Sequence, residues 1–214
     1  FPKYTKAEEQ EFMVGTLFPD IRYLGDVGRM ETHFEKMSLD EVLSEPSPFV
    51  AGVKFHTYVD LVREELVVKE EIYDKLRTKI PYHVSSFLKV IEDEYLYPER
   101  SWNEVTFALL QNHPGELLYG VSEATVTKWH KLLNLLFVSG PSYLLNLFCL
   151  TGKAAADITP EEVKLWNENL KPYLKDPVIK KWMEKMLSHF EQEFELHYEK
   201  RSAAASPALP QRVQ

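Results

Sequence analysis

The chain has 214 residues, of which 44% are hydrophobic and 27% charged, and its formal net charge at pH 7 is −8. This composition is ordinary for a globular domain, and the acidic balance argues against a protein that coats nucleic acid through counterion release. The single cysteine, Cys149, excludes an intrachain disulfide and a cysteine-based zinc site.

The apolar residues of the first third of the chain recur with helical spacing. They predict a first helix over residues 6–17, which Pro19 ends, followed by a loop that carries Asp20. A helix is expected to resume near Thr32, and residues 49–76 predict one long amphipathic helix or two.

The helical pattern continues through the rest of the chain, and no run with the period of a strand occurs. We predict an all-α fold, a single-domain multi-helix bundle over residues 1–200, with a disordered tail at 201–214 that has no aromatic anchor. The further helices are predicted over residues 82–97, 101–112, 122–137 and 142–150, from Thr159, and over 177–200, with capping boxes at Ser38 with Glu41 and Ser101 with Glu104.

Residues 132–150 carry no charge over nineteen positions. Such a length just reaches that of a membrane span, but two asparagines and the Gly140-Pro141 break interrupt it. The pattern favours two buried helices that meet at this break, and a lipid-facing surface is the alternative.

Four side chains are candidates for a metal site. His56 and Asp60 are four positions apart, so on a helix both lie on one face, one turn apart. Asp20 follows an apolar run and a proline, where burial would require a partner for its charge. With His33 these residues would supply two imidazoles and two carboxylates, a set that zinc accepts. The alternatives are a helix-surface hydrogen bond between His56 and Asp60 and a helix-ending turn at Asp20.

In the order Asp, His and His-x3-Asp, these four residues resemble a known family. The family comprises the all-helical zinc hydrolases that include bacterial zinc-dependent phospholipase C and the single-strand-specific zinc nucleases. The resemblance spans about residues 12–66 and rests on "FMVGTLFPDI", "ETHF" and "FHTYVD". It implies a bundle of the phospholipase C type in which Asp20, His33, His56 and Asp60 hold zinc.

The family builds a site with three zinc ions, and this chain departs from that pattern. One further zinc uses the free N-terminal amine and a nearby histidine, but no histidine precedes His33. Either that ligand lies before Phe1 or the site is reduced. Another zinc uses a later His-x3-Asp/Glu pair, a spacing that His189 and Glu193 show. We therefore expect one zinc ion, and up to three if these further ligands serve.

The resemblance implies hydrolysis of a phosphoester by a water molecule that the metal activates. Arg22 is expected to hold the phosphate oxygens, with Arg29 and Arg63 as alternatives, and Asp60 to orient the water. Each arginine has the alternative of a solvated surface position.

Three functions remain open from the sequence. The first is a zinc-dependent phospholipase C-like hydrolase of a phospholipid or a small phosphodiester, with peripheral membrane contact through residues 132–150. Nucleic acid is a less favoured substrate because the chain is acidic. The second is a non-catalytic helical protein with a structural metal site that binds a partner, and the third is a helical module without metal. The sequence does not indicate whether the protein is cytoplasmic or exported.

Overall fold

The computed structural model describes residues 4–24, 27–143 and 158–205, with side chains up to residue 197. These ranges are helical and contain no strand, which confirms the all-α prediction. The chain divides into two compact units, Phe1–Leu174 and Lys175–Gln214. The finer expectation, a bundle of the phospholipase C type, stays a prediction.

The described helices differ widely in length. In the described part of the first unit they are α1 (Lys6–Leu17), α2 (Arg29–Thr32), α3 (Leu39–Ser44), α4 (Pro48–Lys69), α5 (Ile72–Arg77), α6 (Val84–Leu96), α7 (Asn103–Ala108), α8 (Pro114–Leu117), α9 (Glu123–Ser139) and α10 (Pro160–Leu174), with 3₁₀ helices at Phe18–Tyr23 and Tyr97–Glu99. The second unit contains α11 (Pro177–Ala205).

Helices α1 and α4 cross with their backbones in direct contact. A Cβ atom on Gly15 would lie 2.1 Å from the carbonyl oxygen of Phe49, and one on Gly52 would lie 2.2 Å from the carbonyl oxygen of Phe12. Real side chains do not tolerate such distances, so this approach requires glycine at both positions. The crossing places the last turn of α1 against the first turns of α4, and the candidate site is built there.

The 3₁₀ helix after α1 is anchored on both sides of Asp20. Phe18 and Ile21 are fully buried in the core of the first unit. The ring of Phe18 contacts those of Phe49 and Tyr119, with centroids 5.3 and 4.9 Å apart. The position of Asp20 is therefore fixed by apolar packing of its neighbours.

The uncharged segment 132–150 begins within α9. Leu133 is buried in the core, and Leu136 and Phe137 pack against it, as the buried-helix interpretation expects for this half. Residues 144–150 lie outside the described ranges. Among the helices that the structure describes, none has the length and apolarity to cross a bilayer.

Two predicted boundaries fall differently in the structure. The capping box of Ser101 and Glu104 is wrong, because α7 begins at Asn103 behind Trp102, which caps it with no side-chain hydrogen bond. Helix α11 continues to Ala205, so the predicted start of the tail at residue 201 falls inside a helix. The rest of that tail, 206–214, lies outside the described ranges.

Candidate metal centre

Three of the four predicted metal ligands lie together. Asp20 is in the first 3₁₀ helix, His33 directly follows α2, and His56 is in α4. One potential ligand atom of each lies within 4.8 Å of those of the other two. The two imidazole rings meet nearly at a right angle, with centroids 5.0 Å apart. A single cation at this point would be within reach of all three side chains.

The crossing of α1 and α4 fixes the orientation of His56. Its Nδ1 lies 3.0 Å from the carbonyl oxygen of Thr16, in the last turn of α1, where carbonyls have no partner within the helix. Nδ1–H therefore donates to Thr16, which in the neutral ring leaves the lone pair on Nε2. Nε2 is buried and has no hydrogen-bond partner among the residues that the structure describes. Histidine ligands of metals are usually held in this way, by a hydrogen bond from the other ring nitrogen.

His33 is buried and held in a similar manner. Its Nδ1 lies 3.0 Å from Oγ1 of Thr32, and this hydroxyl donates to the carbonyl oxygen of Pro19 at 3.5 Å. Burial, together with the neighbouring His56 and the charge of Arg29, lowers the pKa of His33 from 6.5 to about 4. The ring is therefore neutral at pH 7, the state in which an imidazole binds a metal.

The lowered pKa of His33 predicts an acid-sensitive fold in the metal-free protein. Between pH 6.5 and about 4 the unfolded chain carries a proton on His33 that the folded chain does not, so acidification favours unfolding. Acidification from pH 7.5 to 5 should lower the free energy of unfolding by about 2 kcal/mol through this residue. Urea titrations in EDTA at both pH values measure the loss.

His33→Gln serves as the control for this measurement, because it removes the titrating group and keeps a polar side chain. The variant should lose about 2 kcal/mol less than the wild type over the same interval. Equal losses in the two proteins would contradict the assignment to His33.

Asp60 lies at the edge of this group. Its Oδ2 is 3.6 Å from Nε2 of His56, and its Oδ1 is 3.2 Å from Nζ of Lys89 in α6. Burial acts to raise the pKa of Asp60, but Lys89 and His56 outweigh it and hold that pKa below its usual range. The carboxylate is thus ionised and adjacent to the triad. Lys89 was not among the residues that the sequence predicted.

Two of the predicted arginine clamps have different surroundings. Nη2 of Arg22 is 3.7 Å from Oδ1 of Asp20 and donates to the hydroxyl of Tyr23 at 2.6 Å, so Arg22 lies beside the candidate centre. Arg63 is buried, and its Nε donates to both carboxylate oxygens of Glu92 at 2.7 Å. Arg63 is therefore engaged in a buried ion pair, which does not fit a role as phosphate clamp.

The predicted further ligands His189 and Glu193 lie in the second unit. They are on consecutive turns of α11, where Nε2 of the histidine is 3.8 Å from Oε1 of the glutamate. Both side chains are more than one-third exposed. A further metal site at these residues stays a prediction.

A buried pair of titratable side chains escaped the sequence analysis. Glu116 in α8 is fully buried, and its Oε1 lies 2.8 Å from Nε2 of His130 in α9. Its Oε2 accepts the backbone N–H of His113. Glu116 and His130 are fourteen positions apart, so no local pattern marks them. The pair joins two helices of the core, away from any group of three potential metal ligands within the described ranges.

The donor atoms suit a divalent ion with affinity for imidazole. Two histidines and one or two carboxylates are typical zinc ligands, at distances of about 2.0–2.2 Å. Magnesium and calcium favour sites made of oxygen alone. The buried Nε2 of His56, which has no hydrogen bond among the described residues, and the neutral His33 fit such an ion.

Comparisons of the chain with protein-family models, curated proteins and solved structures yield no match. The resemblance to the phospholipase C and nuclease family, drawn from the four ligand positions, therefore stays a prediction.

Proposed function

We propose that the chain is a metal-dependent phosphoester hydrolase of the phospholipase C kind, acting on a phospholipid or a small phosphodiester. The observation that carries the proposal is the convergence of Asp20, His33 and His56 on one point, with Nε2 of His56 buried and unpartnered among the described residues. Asp60 lies beside this group, with its Oδ2 3.6 Å from Nε2 of His56, and we propose it as a further ligand. Zinc is the ion that this set of donors favours.

The surroundings of the centre support a phosphate-bearing substrate of small size. Arg22 lies beside Asp20, where its guanidinium can donate to phosphoryl oxygens. The net charge of −8 disfavours polymeric nucleic acid, because the surface as a whole repels a polyanion. The proposal includes peripheral contact with a lipid membrane through residues 132–150.

A divalent ion at such a site supplies Lewis acidity, which polarises a phosphoryl oxygen and lowers the pKa of water. The side chains of this protein have two tasks. Arg22 orients the phosphoryl group, and the Asp60 carboxylate accepts a hydrogen bond from the attacking water and takes up its proton. The lowered pKa of Asp60 keeps it ionised at neutral pH, so that it can accept the hydrogen bond from the water.

Asp60→Asn is expected to abolish most of the hydrolysis. Loss of a positioned proton acceptor typically costs 10²–10⁴-fold in rate, so kcat/KM should fall by about that factor. The assay uses the zinc-loaded protein with bis(4-nitrophenyl) phosphate and with phosphatidylcholine in mixed micelles. Asp74→Asn is the matched control, because Asp74 lies on the exposed surface of α5 and pairs with Arg77. A zinc-loaded wild type that hydrolyses neither substrate would contradict the proposal.

A structural metal site is the second candidate, favoured by the burial of His33 and by the origin of the ligands in three separate elements. An ion there would join the 3₁₀ helix and the end of α2 to α4. In that case Asp60→Asn would lower the thermal stability of the zinc-loaded protein while the wild type has no hydrolytic activity to lose. Measuring stability and activity on the same samples separates the two candidates.

A further inference from the structure

Lys89 is a charged residue beside the candidate centre that comes from outside the stretch 12–66. It lies in α6, and its ammonium reaches Oδ1 of Asp60 at 3.2 Å. Its side chain is 45% exposed, whereas that of Asp60 is 26% exposed. Lys89 thus reaches from the solvent-facing side towards a largely buried carboxylate.

The Asp60 carboxylate is shared between two neighbours. Oδ2 faces Nε2 of His56 at 3.6 Å, and Oδ1 faces Lys89. The ammonium therefore balances a carboxylate charge that a metal ion at His56 and Asp60 would also balance. A cation bound there and Lys89 compete for the same carboxylate, since like charges repel at this separation.

The charges around the centre indicate which kind of ligand a metal-loaded site would attract. Two carboxylates, Asp20 and Asp60, face two cations, Arg22 and Lys89. Arg29 adds a further positive charge close enough to act on His33. A divalent ion at these carboxylates would therefore leave the centre with an excess of positive charge. Such a partly buried centre attracts an anion.

We propose that Lys89 is the residue that binds the substrate's phosphoryl oxygen and makes anion binding depend on the metal. With an ion held at Asp60, the ammonium would no longer pair with that carboxylate and would donate to a phosphoryl oxygen. This assignment rests on the proposed function and deepens it: the substrate is an oxyanion held between Lys89 on one side and Arg22 on the other. Without metal, Lys89 stays paired and the site binds phosphate weakly.

The test uses the full chain with zinc and inorganic phosphate as the two probes, each titrated by calorimetry. Lys89→Met removes the charge and keeps the apolar stem, Lys89→Arg keeps the charge, and Lys131→Ala is a control at an exposed lysine of α9. In the zinc-loaded protein, Lys89→Met should weaken phosphate binding by about tenfold or more, since a charge-assisted hydrogen bond is lost. Lys89→Arg should stay within about threefold of the wild type.

The zinc titration should respond in the opposite direction. Lys89→Met removes the competing cation, so its zinc affinity should equal or exceed that of the wild type, by up to about tenfold. A general structural defect would weaken the binding of both phosphate and zinc. Weaker phosphate binding without weaker zinc binding therefore distinguishes a binding role for Lys89. The wild type without zinc should bind phosphate at least about tenfold more weakly than with zinc.

Equal phosphate affinity in the zinc-loaded wild type and Lys89→Met would overturn the assignment of Lys89, and so would weaker zinc binding in that variant. Neither result touches the hydrolase proposal, which is judged by zinc content and by hydrolysis of the two phosphodiester substrates. A wild-type chain that binds no zinc overturns both proposals, and the zinc titration alone reports it.

Discussion

Under the proposed function, zinc should stabilise the folded protein, and His56→Ala is expected to remove that stabilisation. A ligand present at a hundred times its dissociation constant stabilises the folded state by about 2.7 kcal/mol. For a chain of this size that corresponds to a rise in Tm of roughly 5–10 °C. The variant loses Nε2, the buried nitrogen that faces Asp60 and lies with Asp20 and His33. Its Tm should therefore change little when zinc is added.

The wild type and His56→Ala have to be compared by the change in Tm that zinc causes. Their Tm values alone also differ because His56→Ala leaves the carbonyl of Thr16 without its hydrogen bond. Thermal melts with zinc and with EDTA, combined with zinc content per chain, give that shift and the stoichiometry. His189→Ala is the matched control. It should keep the full zinc-induced shift in Tm and, like the wild type, bind one zinc ion. An undiminished shift in His56→Ala would contradict the assigned centre, and the loss of one of two bound ions in His189→Ala would establish the further site in α11.

Gly52→Ala is expected to destabilise the fold more than any surface substitution. The new Cβ would lie 2.2 Å from the carbonyl oxygen of Phe12 and 2.7 Å from the amide nitrogen of Thr16, both of them backbone atoms of α1. The two helices would have to separate, and overpacking of this kind costs about 3 kcal/mol or more. Tm should fall by roughly 6–12 °C, measured by circular dichroism in EDTA.

Gly28→Ala is the control for this substitution. A Cβ there would meet only the end of the flexible Glu31 side chain, at 3.0 Å. The loss of stability should stay below about 1 kcal/mol, the cost of a poorer helix cap. Similar melting temperatures for the two variants would contradict the tight crossing of α1 and α4.

Helical spacing and capping boxes predicted the helices well where no tertiary contact overrides these local signals. The first helix has its predicted limits, Lys6–Leu17, and the capping box of Ser38 with Glu41 is confirmed by hydrogen bonds in both directions. The box of Ser101 with Glu104 failed for a tertiary reason. Trp102 donates its indole N–H to the carbonyl of Tyr97 at 3.1 Å and packs on Phe137, contacts that fix the start of α7 at Asn103.

The site was predictable to the extent that its residues follow a pattern. His56 and Asp60 share a helical face, and the structure brings Asp20 and His33 close to His56. Lys89 carried no such signal, because it follows Asp60 by 29 positions on another helix. The pairing of Arg63 with Glu92 was hidden for the same reason, since the partners meet only when α4 and α6 pack. Sequence spacing reveals contacts within one element, and contacts between elements need the fold.

The bond from His56 to the carbonyl of Thr16 ties the chemistry of the centre to the register of two helices. A slip of α1 along α4 by one turn, about 5.4 Å, would take that carbonyl away and leave the imidazole free to rotate. The glycine contact excludes such a slip in the native protein. Under the proposed function, zinc affinity would report the alignment of α1 and α4, and variants far from the ligands that shift this alignment should be detectable by metal titration alone.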